Sequence, residues 1–390
     1  ITDGQGKRAG LMLVAPDNFY CPGESGGGST VTVTTFNLND TSYPWQGVGL
    51  AADVHTVYAA TGSLYLSATR RNYTPGPLTT GVSVAAEETV IHKFDLNGDK
   101  TQSMGSGKVP GRLLNQFSMG EYEGVLRVAT TTGSAWGSAP ASANHVFCLK
   151  SGTQGLEVIG KLENLASGER IYSARFIGKR GFLVTFVQID PLFTLDLSDP
   201  AAPKVAGVLK VPGYSDYIHP WDENHLITIG KSVKLENAIA WYQGIQLSMF
   251  DITDFTNPKL LHKELIGIRG TESEALHNHK AFTYWNEKNL LALPIQLYEY
   301  QRPPAAASDG GTVTFIGLYG YRVGLEKGFE LLGRIRTVTD TANPSLPYHY
   351  QAWMRGLFIG DMVYAVQPDS VSSARIDDIG GTVKRITIDN

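Results

Sequence analysis

Residues 190–210 read DPLFTLDLSDPAAPKVAGVLK, and this stretch decides the fold. Apolar residues alternate with polar ones on both sides of its centre, which is typical of strands with one buried face. The centre has the form Asp-x-Ser-Asp followed shortly by Pro-Lys. Asp and Ser favour turns because their side chains accept hydrogen bonds from nearby backbone N–H groups. The stretch therefore predicts two strands joined by a tight turn.

The same arrangement recurs along the chain, most clearly in residues 246–262, QLSMFDITDFTNPKLLH. Weaker copies of the first strand occupy residues 32–38, 89–98, 145–149 and 312–317. Between the copies lies a second element, two strands separated by a short polar turn, at residues 172–186, 216–229, 281–293 and 357–365. No segment shows the pattern of a long amphipathic helix. The repeat unit is therefore predicted to hold four short antiparallel strands.

Four-stranded units repeated six to eight times predict an all-β chain folded as a β-propeller, with seven blades preferred. A single such sheet leaves its apolar faces uncovered, so neighbouring sheets pack face to face. A β-sandwich would not need so regular a repeat, and a parallel β-helix has a much shorter period. We predict one domain over residues 1–390, with approximate blades 1–52, 53–112, 113–168, 169–214, 215–268, 269–338 and 339–390.

Composition narrows the classes of partner. The 390 residues are 42% apolar and carry 33 basic against 37 acidic side chains, a formal charge of −4. That apolar fraction supports a large core. The charge balance disfavours a nucleic-acid binder, because such proteins rely on neutralising phosphates. No uninterrupted apolar stretch reaches about 18 residues, so no transmembrane segment is expected in this chain.

Two cysteines, Cys21 and Cys148, are separated too widely for a zinc knuckle or a Cys-x-x-Cys redox pair. A long-range disulfide between them and two separate thiols are both compatible with the sequence. The chain begins Ile1-Thr2-Asp3, without Met. We expect a removed leader or a fragment of a longer product.

Several long strings are distinctive, chiefly residues 111–133 (GRLLNQFSMGEYEGVLRVATTTG), 160–176 (GKLENLASGERIYSARF) and 273–282 (SEALHNHKAF). With these strings the chain closely resembles a family of secreted prokaryotic proteins that contain a C-terminal β-propeller domain. The resemblance runs with gaps from about residue 29 to the C-terminus. It implies a bacterial or archaeal protein that is secreted or otherwise outside the cytoplasm, in the periplasm or at the cell surface. It implies no reaction and no catalytic residues.

Inner strands and rim loops are where propellers bind ligands. Five histidines from four units, among them His55, lie near the beginnings of predicted inner strands. The candidate ligand-binding residues at the channel or rim are Tyr217, His219, Glu274, His277, His279, His349 and Arg175. Long connections at residues 71–87, 232–244, 299–311 and 337–348 break the repeat and are predicted to form rim loops.

Two segments contain candidate metal ligands that also have structural interpretations. His277 and His279 are two residues apart, so on a strand both imidazoles would face one side and could bind a transition metal. Residues 95–99, DLNGD, begin like a calcium loop, which makes calcium a candidate structural ion. Lys100 and Ser106 break the calcium pattern, however, and Asn97-Gly98 is a hairpin signal, so a turn is favoured.

These observations predict a secreted or cell-surface binding or scaffold module that recognises a protein or glycan through its rim loops, without catalysis. The alternative is an extracytoplasmic hydrolase or metal-dependent enzyme with its site at the channel, for which Asp216, Asp222, Glu272 and Glu274 would supply carboxylates. The sequence contains no complete catalytic set. A structural envelope component is the third interpretation.

Overall fold

A computed structural model of the chain describes residues 13–23, 28–39, 46–74, 84–98, 101–134, 141–186, 190–237, 239–338 and 353–388. Their secondary structure consists of strands and short 3-10 helices. These helices are Pro16–Asn18, Gln116–Ser118, Glu274–Leu276, His279–Ala281, Asn286–Lys288 and Ile376–Asp378. Within the described ranges, no helix is long and apolar enough to cross a membrane.

The strands form seven sheets, each built from neighbours in the sequence. The first sheet contains β1 (Phe19–Tyr20), β2 (Val31–Thr35) and β3 (Gln46–Leu50). The second contains β4 (Thr56–Ala59), β5 (Ser63–Thr74), β6 (Val84–Asp95) and β7 (Gln102–Pro110). The third contains β8 (Met119–Tyr122), β9 (Val125–Thr132), β10 (Ala143–Gly152) and β11 (Gly155–Leu165). The fourth contains β12 (Arg170–Ile177), β13 (Arg180–Phe186), β14 (Asp190–Asp196) and β15 (Lys204–Val211).

Three more sheets follow in the same order of strands. The fifth contains β16 (Tyr214–Pro220), β17 (His225–Glu236), β18 (Ile239–Asp251) and β19 (Lys259–Ile266). The sixth contains β20 (Thr283–Trp285), β21 (Leu290–Glu299), β22 (Thr312–Gly324) and β23 (Gly328–Arg336). The seventh contains β24 (Arg355–Ile359), β25 (Met362–Val366), β26 (Ser370–Arg375) and β27 (Lys384–Thr387).

Sheets two to seven each place four consecutive strands side by side in chain order. In the first sheet, β3 pairs antiparallel with β2 and parallel with β1. Six up-and-down sheets together with the first sheet give the seven blades of a β-propeller, so the predicted fold class is confirmed. The first blade has three strands among the described residues.

The repeated aspartates act as turn caps, as the sequence predicted. The Asp196 carboxylate accepts a hydrogen bond from the Ser198 N–H at 3.0 Å, and Asp251 accepts one from Thr253 at 2.8 Å. These hydrogen bonds hold the pKa of both carboxyls below its usual value. Asn97 N–H likewise bonds the Asp95 carboxylate at 3.0 Å within the β6–β7 connection. That contact supports the turn interpretation for Asp95–Gly98, whereas Asp99 and Lys100 lie outside the described residues.

The chain divides into two compact units. The first comprises Ile1–Ile171, Arg175–Gly181 and Leu195–Lys204, and the second comprises Tyr172–Ala174, Phe182–Thr194 and Val205–Asn390. The single domain predicted for residues 1–390 stays a prediction.

Neighbouring sheets within each unit share apolar cores. In the first unit, sheets two and three bury one cluster that includes Tyr65, Leu126 and Phe147. In the second unit, sheets five and six bury a larger cluster that includes Met249 and Tyr319. Because the sheets of each pair present apolar residues to one another, removal of this surface from water is the main favourable term for their packing.

Two predicted rim loops differ in the structure. Of residues 71–87, the described residues 71–74 and 84–87 belong to β5 and β6, and residues 75–83 lie outside the described part of the chain. Residues 232–244 are mostly strand, because β17 and β18 continue as a long hairpin with its turn beyond Glu236. The register shifts between Lys231 and Val233, and a bulge of this kind bends the hairpin. Residues 300–311 do form a connection between β21 and β22, as predicted, whereas residues 339–352 lie outside the described part of the chain.

Candidate functional site

A cavity of about 550 Å³ opens in the second unit. The beginning of β16, the long β17–β18 hairpin, the segment after β19, strand β21 and the connection after β21 all contribute side chains or backbone to its wall. Its lining combines tyrosines with charged and amide side chains. This volume falls within the roughly 300–1,000 Å³ of small-molecule sites.

One wall of the cavity is an ion pair. Lys231 is 7% exposed, and its Nζ lies 2.7 Å from Glu272 Oε1 and also donates to the Thr271 carbonyl. Thr271 is fully buried, and its hydroxyl accepts a hydrogen bond from the Tyr298 N–H at 3.0 Å. Lys231 is therefore held in one position by the segment after β19.

Glu272 is fixed by its backbone as well as by its side chain. It forms an isolated antiparallel bridge with Gln296 of β21. The Glu272 nitrogen lies 3.0 Å from the Gln296 carbonyl oxygen, and the Gln296 nitrogen lies 2.9 Å from the Glu272 carbonyl oxygen. The Gln296 amide in turn donates to the Tyr298 hydroxyl at 3.4 Å. Both side chains line the cavity, so amide and hydroxyl groups lie beside the ion pair.

A second wall is aromatic. The Tyr214 ring lies 5.3 Å from the Tyr242 ring and 4.6 Å from the Tyr172 ring, measured between centroids. Phe186 packs 5.1 Å from Tyr214. Burial raises the pKa of Tyr214 far above its usual range, and the neighbouring Asp216 carboxylate adds to the effect. The Tyr214 hydroxyl can act as a hydrogen-bond donor, as any tyrosine does near neutral pH. Tyr242 is 38% exposed and presents part of its ring to solvent.

Arg269 lies at the same cavity. Its guanidinium carbon is 5.1 Å from the centre of the Trp241 ring, and Nη1 donates to the Tyr242 carbonyl at 3.3 Å. The amide of Gln243 also lines the cavity and bonds the Ala307 carbonyl at 2.9 Å. That bond attaches the hairpin to the connection between β21 and β22.

The predicted site residues do not all meet at this cavity. Of the seven candidates, His277 lines it and is exposed. Tyr217, His219 and His279 belong to another aromatic cluster of the second unit, in which Phe282 lies 5.3 Å from Tyr217 and 5.1 Å from His219.

Both carboxylate oxygens of Glu274 contact groups of the protein. One carboxylate oxygen lies 2.6 Å from Arg355 Nη1, and the other accepts the Met354 N–H at 3.0 Å. Both oxygens are thus engaged within the protein. Arg175 belongs to the first unit, where its guanidinium lies 4.7 Å from the centre of the Phe117 ring. His349 lies outside the described residues.

The strand geometry expected for His277 and His279 is wrong. The two histidines lie at the end of one 3-10 helix and at the beginning of the next. Ser273 and Asn278 cap these turns by accepting the N–H groups of Ala275 and Lys280. Short capped turns rotate successive side chains, so the period of two that holds for a strand does not apply.

The described residues contain no group of three or more His, Cys, Asp or Glu side chains that could hold a metal ion. Both cysteines are free thiols in the structure, with Cys21 exposed and Cys148 buried. The alternative of two separate thiols is therefore the one that the structure records.

Sequence reasoning missed Lys231 and Gln296. Each lies inside an apolar strand, where a single polar side chain gives no signal of a site. Asp216 and Glu272 were weighed only as carboxylates near inner strands. Arg269 lies at the predicted start of a blade, and Trp241, Tyr242 and Tyr298 lie in or beside the predicted long connections, places that alone do not mark them as a site. The structure brings all of these side chains to the cavity or its edge.

Comparisons with known proteins agree with the architecture. The chain is 35% identical over 286 residues to an uncharacterized protein of Archaeoglobus fulgidus, covering 73% of this chain and 37% of that protein. It is 40% identical over 215 residues to the uncharacterized protein MJ1554 of Methanocaldococcus jannaschii, covering 55% of this chain and 32% of that protein. The matched part thus spans about a third of each relative. Residues 6–379 match the Beta propeller domain family, and the chain belongs to that family.

Proposed function

We propose that this chain is a glycan-binding module whose ligand, a short oligosaccharide, occupies the cavity of the second unit. The observation that carries the proposal is the lining itself, in which Tyr214, Tyr242 and Tyr298 accompany amide and charged side chains. Aromatic rings pack against the apolar C–H face of a sugar, while amides, hydroxyls and charged groups bond its hydroxyls.

The cavity suits binding better than bond cleavage. Glu272 is paired with Lys231, and Thr271, Gln296 and Tyr298 surround the pair with hydrogen bonds. Groups held in this way are preorganised, and preorganisation lowers the free-energy cost of binding. The propeller fold does not imply a reaction, so the function has to be argued from the site itself.

The location outside the cytoplasm is part of the same proposal. It rests on the sequence resemblance to secreted prokaryotic proteins. Fractionation of the native host with antibodies against this chain tests it, and recovery in the cytoplasmic fraction would contradict it.

The binding test is calorimetric titration of the purified chain with a panel of neutral and acidic di- to tetrasaccharides. Tyr242→Ala removes a partly exposed ring but keeps the backbone carbonyl that holds Arg269. We expect this variant to lose about 1–2 kcal/mol of binding, roughly 5- to 30-fold in affinity. Tyr364→Ala is the matched control, since Tyr364 lies on β25 and does not line the cavity.

Binding that weakens in the Tyr242 variant and survives in the Tyr364 variant supports the proposal. Three results would contradict it: no sugar binds, the Tyr242 variant binds as well as the original chain, or bound sugars are cleaved. Cleavage, followed by the appearance of reducing ends, would favour the hydrolase alternative.

A further inference from the structure

Arg269 is positioned as a ligand-binding cation at the cavity. It follows the last strand of sheet five, and its guanidinium packs over Trp241 while Nη1 bonds the Tyr242 carbonyl. These two contacts orient the planar group, and they use one of its five N–H donors. Because a stacked guanidinium is already ordered, it loses little conformational entropy when it binds an anion.

The carboxylates that line the cavity do not form an ion pair with this cation. Glu272 pairs with Lys231 at 2.7 Å, and no carboxylate of the described residues lies within ion-pair distance of Arg269. Other arginines of the chain, such as Arg355 and Arg112, pair with glutamates at 2.6 Å. Arg269 thus presents donor capacity at a site where a ligand can reach it.

We propose that Arg269 binds the carboxylate of an acidic sugar, so that the ligand class is an oligosaccharide containing uronic acid residues. This inference rests on the proposed glycan-binding function. A carboxylate matches the guanidinium fork with two parallel N–H to oxygen bonds, whereas a neutral sugar hydroxyl can use only one.

The overall charge of the cavity favours a singly charged group. Lys231 and Arg269 are balanced by Asp216 and Glu272, all of which line the same space. A phosphate monoester carries close to two negative charges near neutral pH, so the two acidic side chains disfavour it more than they disfavour a carboxylate. An isolated carboxylate on an otherwise neutral ring can approach Arg269 and leave its hydroxyls to the amides and tyrosines.

The test compares one oligosaccharide in two forms. Trigalacturonic acid and its methyl ester differ only in the charge and shape of the carboxyl group, and a sulfated trisaccharide serves as the third probe. Calorimetry of the full chain should show the acid bound at least about tenfold more tightly than its ester. Arg269→Gln should remove this preference, and Arg269→Lys should retain part of it, because lysine keeps the charge without the fork.

Arg336 provides the matched control. It stacks on an aromatic ring, Phe315, with 4.9 Å between the guanidinium carbon and the ring centre, and its Nη1 bonds the Thr314 carbonyl at 3.1 Å. It does not line the cavity. Arg336→Gln should therefore leave both affinities and their ratio unchanged.

The outcomes separate this inference from the proposed function. Equal binding of acid and ester with no effect of Arg269→Gln overturns the carboxylate assignment but leaves glycan binding intact. Equal weakening of both forms by Arg269→Gln also overturns it, because the arginine would then act only on the shape of the cavity. Tighter binding of the sulfated probe than of the uronate overturns the carboxylate preference. Binding of none of the probes, nor of any neutral sugar, overturns both proposals.

Discussion

Lys231 Nζ lies 2.7 Å from Glu272 Oε1 in the wall of the cavity, and the lysine is almost completely buried. A buried charge that loses its partner retains the cost of its desolvation. The pair joins the middle of β17 to the segment that follows β19. It therefore contributes both to the stability of the second unit and to the shape of the candidate site.

Glu272→Gln is expected to lower the free energy of unfolding by about 1–3 kcal/mol, because the buried Lys231 loses its carboxylate partner and keeps the Thr271 carbonyl. Lys231→Met is expected to lower the free energy of unfolding by less. The carboxylate of Glu272, which then loses its partner, is more exposed to water than the lysine is. Urea denaturation of both single variants and of the double variant measures the coupling. We expect the loss of unfolding free energy in the double variant to be smaller than the sum of the two single losses by about 0.5–3 kcal/mol. Strictly additive losses would show that the two side chains do not interact.

Glu274 tests whether a predicted ligand residue is structural. Its carboxylate bridges Arg355 and the Met354 N–H, and both ionic side chains are largely buried. Glu274→Gln should therefore destabilise the chain by about 1–3 kcal/mol and leave sugar affinity unchanged at a temperature where the variant is folded. Thermal denaturation measures the loss of stability, and calorimetric titration of the same sample measures the sugar affinity. A variant of unaltered stability that binds sugar less well would assign Glu274 to the ligand site.

His92 gives the first unit a pH dependence. Its side chain is buried, its Nδ1 lies 2.6 Å from Ser106 Oγ, and burial lowers its pKa below the usual value of 6.5. The unfolded chain therefore binds a proton at a pH where the folded chain does not, and stability falls as the pH drops below about 6.5. Between pH 7.5 and 5, the original chain should lose more stability than His92→Gln. Parallel losses in urea denaturation at the two pH values would contradict this.

The two cysteines should react very differently. Cys21 is exposed, whereas Cys148 is buried, and burial raises the pKa of its thiol to about 11. Because the thiolate is the reactive form, iodoacetamide at pH 7.5 should label Cys21 in the folded chain and Cys148 only after denaturation. Peptide mass spectrometry measures both. Intact mass before and after reduction provides the control, and a loss of two hydrogens in the unreduced native protein would instead show a Cys21–Cys148 disulfide.

The blades could be predicted from sequence because each strand carries its own local signal. Asp196 and Asp251 occupy equivalent places in sheets four and five. Their hydrogen bonds with Ser198 and Thr253 explain why the pattern repeats. Alternation of buried and exposed residues then determines which face of each strand enters the core.

The cavity could not be predicted in the same way. Lys231 and Glu272 are 41 residues apart, and only the folded chain brings their side chains together. The segment around His277 was predicted to be a strand, but the caps supplied by Ser273 and Asn278 favour 3-10 turns. Local capping thus outweighed the period-two pattern at His277 and His279, the two candidate metal ligands.

A crystal structure of the chain with a saturating short uronate oligosaccharide tests the central claim most directly. We expect sugar density in the cavity of the second unit, with a ring against Tyr242 and a carboxylate within hydrogen-bond distance of Arg269. Well-defined sugar density at another surface, with this cavity left to solvent, would contradict it.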